Sequence, residues 1–181
     1  MRAQASIRNL SRKKRLRPVA DISELVSRER TERSPHEWLG LVLTHFASAE
    51  QAIGRLCIHV DLPIEKGSLS SLADLRRRLT EVENKRCNTL SNRIDRWCSH
   101  RPLRHLLAHS TIHELHNSAG ELVIVTRHLP RDKDDVTPDR LWTQAERQEL
   151  LRQATNDSRS IADQIRNILA DSNLVHALKS V

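Results

Sequence analysis

The segment from Arg104 to His109 reads Arg-His-Leu-Leu-Ala-His and places a guanidinium and two imidazoles within six residues. An imidazole exchanges protons near neutral pH, so His109 can serve as a general base or acid. A guanidinium keeps its charge and its fork of donors matches phosphate oxygens, which suits Arg104 to bind phosphate. His105 can orient His109 or supply a second proton carrier. The segment therefore predicts acid–base chemistry on a phosphate.

Two further residues are candidates for substrate binding. Arg101 precedes Arg104 by three positions and either extends the grip on phosphate or caps a neighbouring acid. Glu50 follows the small apolar residues Ala47 and Ala49 and either faces the motif or points to water, of which the second is commoner. A plainer interpretation also stays open, in which Arg104 pairs with Glu50 and His109 is a half-buried structural imidazole.

Other kinds of site are poorly supported by the residue spacing. His105, His109 and His113 recur every four residues, but the β-branched pair Thr111-Ile112 favours leaving the helix between them. The sequence contains no H-E-x-x-H motif and no clustered glycines, so we expect neither a metal nor a cofactor. Three widely spaced cysteines form no C-x-x-C pair and are expected to be reduced thiols in a cytosolic core.

The positive charge of the chain is concentrated at its start. The net charge is +7, from 30 basic and 23 acidic residues, and residues 1–17 carry seven of the basic side chains and no acid. The remainder is therefore formally neutral. This asymmetry predicts a basic flexible tail over residues 1–20, able to contact nucleic acid phosphates or simply solvated, followed by one domain over residues 21–181.

Composition also narrows the class of protein. The apolar runs are far shorter than the ~20 residues of a membrane span, and the basic start is not followed by an apolar stretch as in a secretory signal. We therefore expect a cytoplasmic protein with no membrane contact. With three Trp, one Phe and no Tyr, the chain has little material for aromatic base-stacking surfaces.

The elements that must position the motif are mainly helices. Ser34, Pro35 and Glu37 form a helix start, and the apolar spacing continues until just before Pro63. A second helix is predicted from Leu72 and a third around Trp97, and these two are either continuous or broken near Asn84. A short charged helix is also predicted at 21–33, before the helix that starts at Ser34. Pro102 can open a further short helix that carries the motif.

The pattern changes after the motif. Residues 111–115 and 121–128 predict two strands around the turn 117–120, and 130–138 reads as a charged loop. Thr143 and Glu146 form a capping box for a long helix to about Ser172. The predicted fold class is all-α, a four- to five-helix bundle with a short β-hairpin inserted before the last long helix.

The arginine, the polar residue after it and the histidine five positions later, on a helix late in a bundle, resemble the motif of the HEPN superfamily. The resemblance covers residues of about 34 to 175, and the segment is similar to the R-N-x-x-A-H-G form of some members. His105 stands where asparagine is common there, and Ser110 replaces the glycine.

The resemblance implies a metal-independent RNA endonuclease of a prokaryotic toxin–antitoxin or defence system, with Arg104, His105 and His109 as catalytic residues. It also implies a homodimer with a composite site, RNA as the substrate and a possible antitoxin protein as partner. On an ideal helix Arg104 and His109 lie about 140° apart, so one chain aims both at one phosphate only if the helix ends near His109. The alternative is a non-catalytic HEPN-like module that binds RNA or protein, and the sequence leaves the presence of an enzymatic activity open.

Overall fold

A computed structural model describes residues 34–64, 69–128 and 138–181. The predicted basic tail, the boundary at residue 20, the short helix at 21–33 and most of the charged loop lie outside them. The described elements, all within the unit Ser34–Val181, are α1 (Pro35–His59), α2 (Leu72–Glu81), α3 (Lys85–Ser99), α4 (Arg101–Ala108), β1 (Ser110–His116), β2 (Leu122–His128), β3 (Arg140–Trp142), α5 (Gln144–Leu169) and α6 (Ser172–Ser180).

The first helix begins as predicted. The Ser34 hydroxyl accepts a hydrogen bond from the Glu37 amide at 3.1 Å, and Pro35 occupies the first helical position. The helix ends at His59, before Pro63. Its buried stripe packs along α5 and supplies much of the core: Trp38, Val42, Phe46, Ala49, Ile53 and Leu56. This spacing of three and four residues is the reason that one face is buried.

The second and third helices are separate, which settles the alternative that the sequence left open. Val82 is extended, and the Asn84 side chain caps α3 by accepting from the Arg86 amide at 2.8 Å. Trp97 of α3 lies in the core, with its ring centre 6.3 Å from that of Phe46. None of the helices in the described ranges is long and apolar enough to cross a membrane.

The predicted hairpin is present, and it belongs to a larger sheet. Strands β1 and β2 pair antiparallel around a turn in which the Asn117 side chain accepts from the amides of Ala119 and Glu121, and Gly120 has a φ of +79°. Strand β3, which the sequence pattern did not predict, pairs with the other edge of β2. Trp142 of β3 is buried, donates to the Thr126 hydroxyl of β2 at 3.0 Å and packs against Trp38 of α1, with the ring centres 5.4 Å apart.

The last long helix starts at the predicted capping box but ends earlier than predicted. The amide and hydroxyl of Thr143 both donate to Glu146, and these bonds lower the pKa of the Glu146 carboxyl. The helix ends at Leu169, and Asp171 then caps α6 by accepting from the Leu174 amide. The all-α prediction with four or five helices is thus too simple: the described part of the chain is predominantly helical, with six helices and a three-stranded antiparallel sheet.

An ion cluster around the buried carboxylate of Asp157 ties the start of α4 to α5. The Asp157 carboxylate, 3% exposed, accepts from Nε of Arg96 at 3.0 Å and lies 3.5 Å from Nδ1 of His100. His100 is the residue that precedes α4. The cluster therefore fixes where the motif helix begins relative to the long helix.

Replacing Asp157 with alanine is expected to lower the free energy of unfolding by about 1.5–3 kcal/mol, the usual size for a lost hydrogen bond to a charged group. The change removes the shared partner of Arg96 and His100. Urea unfolding followed by circular dichroism measures it. The matched control is Asp163→Ala on the same helix, where an exposed pair with Arg166 is worth at most about 1 kcal/mol. Equal losses in the two variants would show that the cluster adds no more stability than an exposed ion pair.

Candidate functional site

The motif lies on α4, a helix whose two sides differ sharply. Leu106 and Leu107 are buried against α1, while Arg101 and His105 are exposed and Arg104 is half-buried. The helix stops at Ala108 because β1 begins two residues later, and the Ser110 hydroxyl donates to the Leu106 carbonyl. His109 is therefore the capping residue at the helix end and does not follow the ideal helical spacing.

Arg104 forms an ion pair with Glu50 across the contact between α4 and α1. Nε of Arg104 lies 3.4 Å from Oε1 of Glu50, and an Nη of Arg104 donates to the other carboxylate oxygen at 3.5 Å. The Glu50 side chain is 17% exposed and that of Arg104 is 35% exposed. Glu50 thus faces the motif, and the commoner expectation that it points to water is wrong. Both distances are long for a charge-assisted bond, which is usually ~2.7–2.9 Å.

Three imidazoles gather beside this ion pair. The ring centres of His105 and His109 are 4.5 Å apart, and that of His128 lies 6.5 Å from His105. His128 was not among the predicted site residues. A partial signal for it exists in the sequence, since the predicted hairpin brings His128 near the end of the motif, and the structure shows that its partner is Ser110, the residue after His109.

A cleft of about 610 Å³ connects these groups. Four of the five predicted site residues line it; His109 does not, although its ring lies against that of His105. The guanidinium of Arg101 also lies 6.0 Å from the centre of the Trp97 ring. The volume falls within the ~300–1,000 Å³ common for ligand pockets. The lining residues are Glu50, Cys98, Arg101, Pro102, Arg104, His105, Leu106 and His128.

The cleft also contains a cysteine, which is poorly suited to nucleophilic chemistry. Burial raises the pKa of the Cys98 thiol, the charges of Arg101 and Arg76 oppose that rise, and Asp95 adds to it. A thiol with a raised pKa is protonated at neutral pH, and the thiolate is the nucleophilic form. Cys57 and Cys87 are buried and Cys98 is half-buried, and none of the three forms a disulfide. The Cys98 thiol is therefore a poor candidate for a nucleophile in the cleft.

The four-residue spacing of histidines does not create a metal site. His113 lies in β1, where its ring contacts the Thr111 hydroxyl at 3.2 Å, and it is on the sheet face opposite to that of His128. Within residues 34–64, 69–128 and 138–181, no group of three or more His, Cys, Asp or Glu side chains is arranged to hold a metal ion.

Comparison with known proteins adds no relative. No protein-family model matches the sequence, and neither a curated protein nor a solved structure shows significant similarity to it. The function must therefore be inferred from the motif and from the groups that the fold places around it.

Proposed function

We propose that the chain is a HEPN-like, metal-independent RNA endonuclease of a prokaryotic toxin–antitoxin or defence system. The observation that carries the proposal is the shared cleft: α4 and α1 bring a phosphate-binding arginine, its glutamate partner and an imidazole together, with the ring of His109 against that imidazole. This combination supplies both requirements of RNA cleavage, a proton carrier and a cation for the phosphorane.

In the proposed reaction His109 takes the proton from the 2′-hydroxyl, and the 2′-oxygen attacks the adjacent phosphorus. The bond from phosphorus to the 5′-oxygen breaks, and a protonated imidazole, His105, gives its proton to that leaving oxygen. The products are a 2′,3′-cyclic phosphate and a free 5′-hydroxyl, so the atoms and protons balance without a metal. Arg104 stabilises the extra negative charge of the phosphorane.

Glu50 has a positioning role in this scheme. Its carboxylate holds the Arg104 guanidinium at the cleft through two contacts of 3.4 and 3.5 Å. A phosphate entering the cleft offers the guanidinium a second set of anionic oxygens, and the long contacts let it shift without leaving Glu50 entirely. Arg101, at the rim, adds a second cation for the RNA backbone.

The proposal includes a homodimer and, as a possible partner, an antitoxin protein, both drawn from the HEPN resemblance. The geometric case for a dimer is weaker than the sequence suggested, because α4 ends at Ala108 and the 140° separation no longer applies to His109. A dimer that brings two α4 ends together would still double the number of cations and imidazoles around one phosphate. Cross-linking or sedimentation of the purified chain distinguishes these cases.

One observation favours the second candidate, a HEPN-like module that binds RNA or protein without cleaving it. The Arg104 guanidinium is already paired with Glu50, as in a structural ion pair. Such a module would bind RNA through the same cleft and leave it intact. It would differ from the enzyme in one respect, because bound RNA would stay intact whether or not His109 is present.

Expression of the chain in a bacterial host tests the proposed function in cells. We expect growth arrest and fragmented total RNA with the wild type, and normal growth with Arg104→Ala or His109→Ala at equal levels of folded protein. Growth arrest that persists equally in both variants would contradict the proposal. Normal growth with the wild type, together with RNA binding by the purified protein, would favour the binding module.

A further inference from the structure

His128 lies in the wall of the proposed catalytic cleft but is not part of the motif. It is the last residue of β2 and is 9% exposed, whereas His105 and His109 are exposed. The side chains of Glu50, Arg104 and His105 line the same cleft. A histidine that is almost buried in a polar cleft has fewer orientations open to it than an exposed histidine has.

The fold holds His128 more firmly than it holds the two motif histidines. Strand β2 is the middle strand of the sheet, and its residue Thr126, two positions away, is fully buried and bonded to Trp142. His128 is paired with Ser110, and the Ser110 hydroxyl bonds to the Leu106 carbonyl of α4. One rung of the sheet thus ties His128 to the helix end where His109 sits.

The chemistry of the cleft gives such a fixed imidazole a use. His105 is on the exposed side of α4, where the helix backbone alone leaves more than one rotamer open to its side chain. The rings of His105 and His128 are tilted by 47° with their centres 6.5 Å apart, within the ~4.5–7 Å of packed rings, so His128 is near enough to restrict the orientation of His105.

We propose that His128 is a positioning residue whose ring fixes the orientation of the His105 ring, and through His105 that of the His109 ring. The inference rests on the proposed function, because it assigns His128 a place in that reaction. The motif alone places the proton donor on an exposed side chain. The hairpin supplies the rigid neighbour, which gives the sheet a functional reason to lie against α4.

Nuclear magnetic resonance of protein labelled with ¹⁵N-histidine tests this without requiring any activity. In the wild type we expect one dominant side-chain rotamer of His105 and a nuclear Overhauser contact between the His105 and His128 rings. In His128→Gln, the ring signals of His105 and His109 should shift and His105 should populate more than one rotamer. In the control His113→Gln, on the opposite sheet face, the ring signals of His105 and His109 should not change. A wild-type His105 that exchanges freely among rotamers would overturn the proposal even if His128→Gln does not fold.

The RNA cleavage assay supplies the second readout. We expect His128→Gln to lower kcat about 10-fold, a loss typical when a partner that orients a functional histidine is removed. KM should stay unchanged and the pH profile of kcat should move, with partial rescue by His128→Asn. Unchanged ring signals in a folded His128→Gln would refute the positioning role whatever the activity. Absence of cleavage by the wild type would instead contradict the proposed function, and the resonance result would still decide whether His128 orders His105.

Discussion

Replacing His109 with glutamine is expected to reduce the rate of RNA cleavage about 10²- to 10⁴-fold, the usual contribution of a general acid or base. His109 is exposed at the end of α4, so its removal deletes the proton carrier without opening a cavity in the core. Glutamine retains a polar side chain but does not exchange a proton near neutral pH. The loss should appear in kcat with little change in RNA affinity.

Single-turnover cleavage of a labelled RNA, together with binding measured by fluorescence polarisation, separates these two quantities. His113→Gln is the matched control, since it removes an exposed histidine from the opposite face of the hairpin. It should cleave at the wild-type rate. A His109→Gln protein that cleaves as fast as His113→Gln would show that the proton carrier has been assigned wrongly.

Replacing Arg104 with alanine is expected to reduce cleavage by about 10²- to 10³-fold, as for the loss of one donor to the negative charge of a transition state. The reason is twofold. The phosphorane loses its cation, and the Glu50 carboxylate, 17% exposed, is left in the cleft where it repels phosphate. Arg104→Lys keeps the charge but loses the fork of donors, so its rate should lie between those of the wild type and the alanine variant.

Two further variants make the Arg104 result specific. In Arg104→Ala/Glu50→Gln the repelling carboxylate is neutralised, and RNA affinity should recover while the rate of the chemical step stays low. Arg166→Ala removes an arginine that is 76% exposed on α5 and should leave both quantities unchanged. If Arg104→Ala and Arg166→Ala have the same small effect, the ion pair with Glu50 is structural and the cleft has another role.

Local signals in the sequence predicted most of the helices, because each of these helices has its own start or stop signal. Ser34 with Glu37, Asn84 and Thr143 with Glu146 all cap helices as their residue types indicate. The elements that were missed lack such signals. Strand β3 has only three residues and exists because Trp142 packs on Trp38 and pairs with β2. The break before α6 depends on Asp171. The apolar spacing of the sequence does not visibly change there, so it does not show that one helix ends and another begins.

The candidate site was predicted in the same uneven way. Arg101, Arg104, His105 and His109 are neighbours in sequence, so one short helix was enough to bring them together. The position of Glu50 could not be derived, because it depends on how α1 packs against α4 and the two residues are 54 positions apart. His128 lies between these cases, since the predicted hairpin places it near the end of the motif although its exact partner and its burial depend on the rest of the fold.

The charge distribution sets a condition on any RNA chemistry at the cleft. The basic excess of the chain lies in residues 1–17, and the rest is formally neutral. Catalysis at α4 must therefore come from the placement of a few groups, namely Arg104 with Glu50 and the three imidazoles. Substitutions that preserve net charge but alter placement, such as Arg104→Lys, are for that reason more informative than changes in ionic strength.

The most direct test is incubation of the purified wild-type chain with a single-stranded RNA oligonucleotide in excess EDTA, followed by analysis of the product ends. We predict cleavage that yields 2′,3′-cyclic phosphate and 5′-hydroxyl ends, no cleavage of DNA of the same sequence, and no cleavage by Arg104→Ala/His109→Gln purified in the same way. RNA that stays intact between pH 5 and pH 8, the range in which histidine titrates, would contradict the proposed activity. Equal cleavage by the double variant would do so as well.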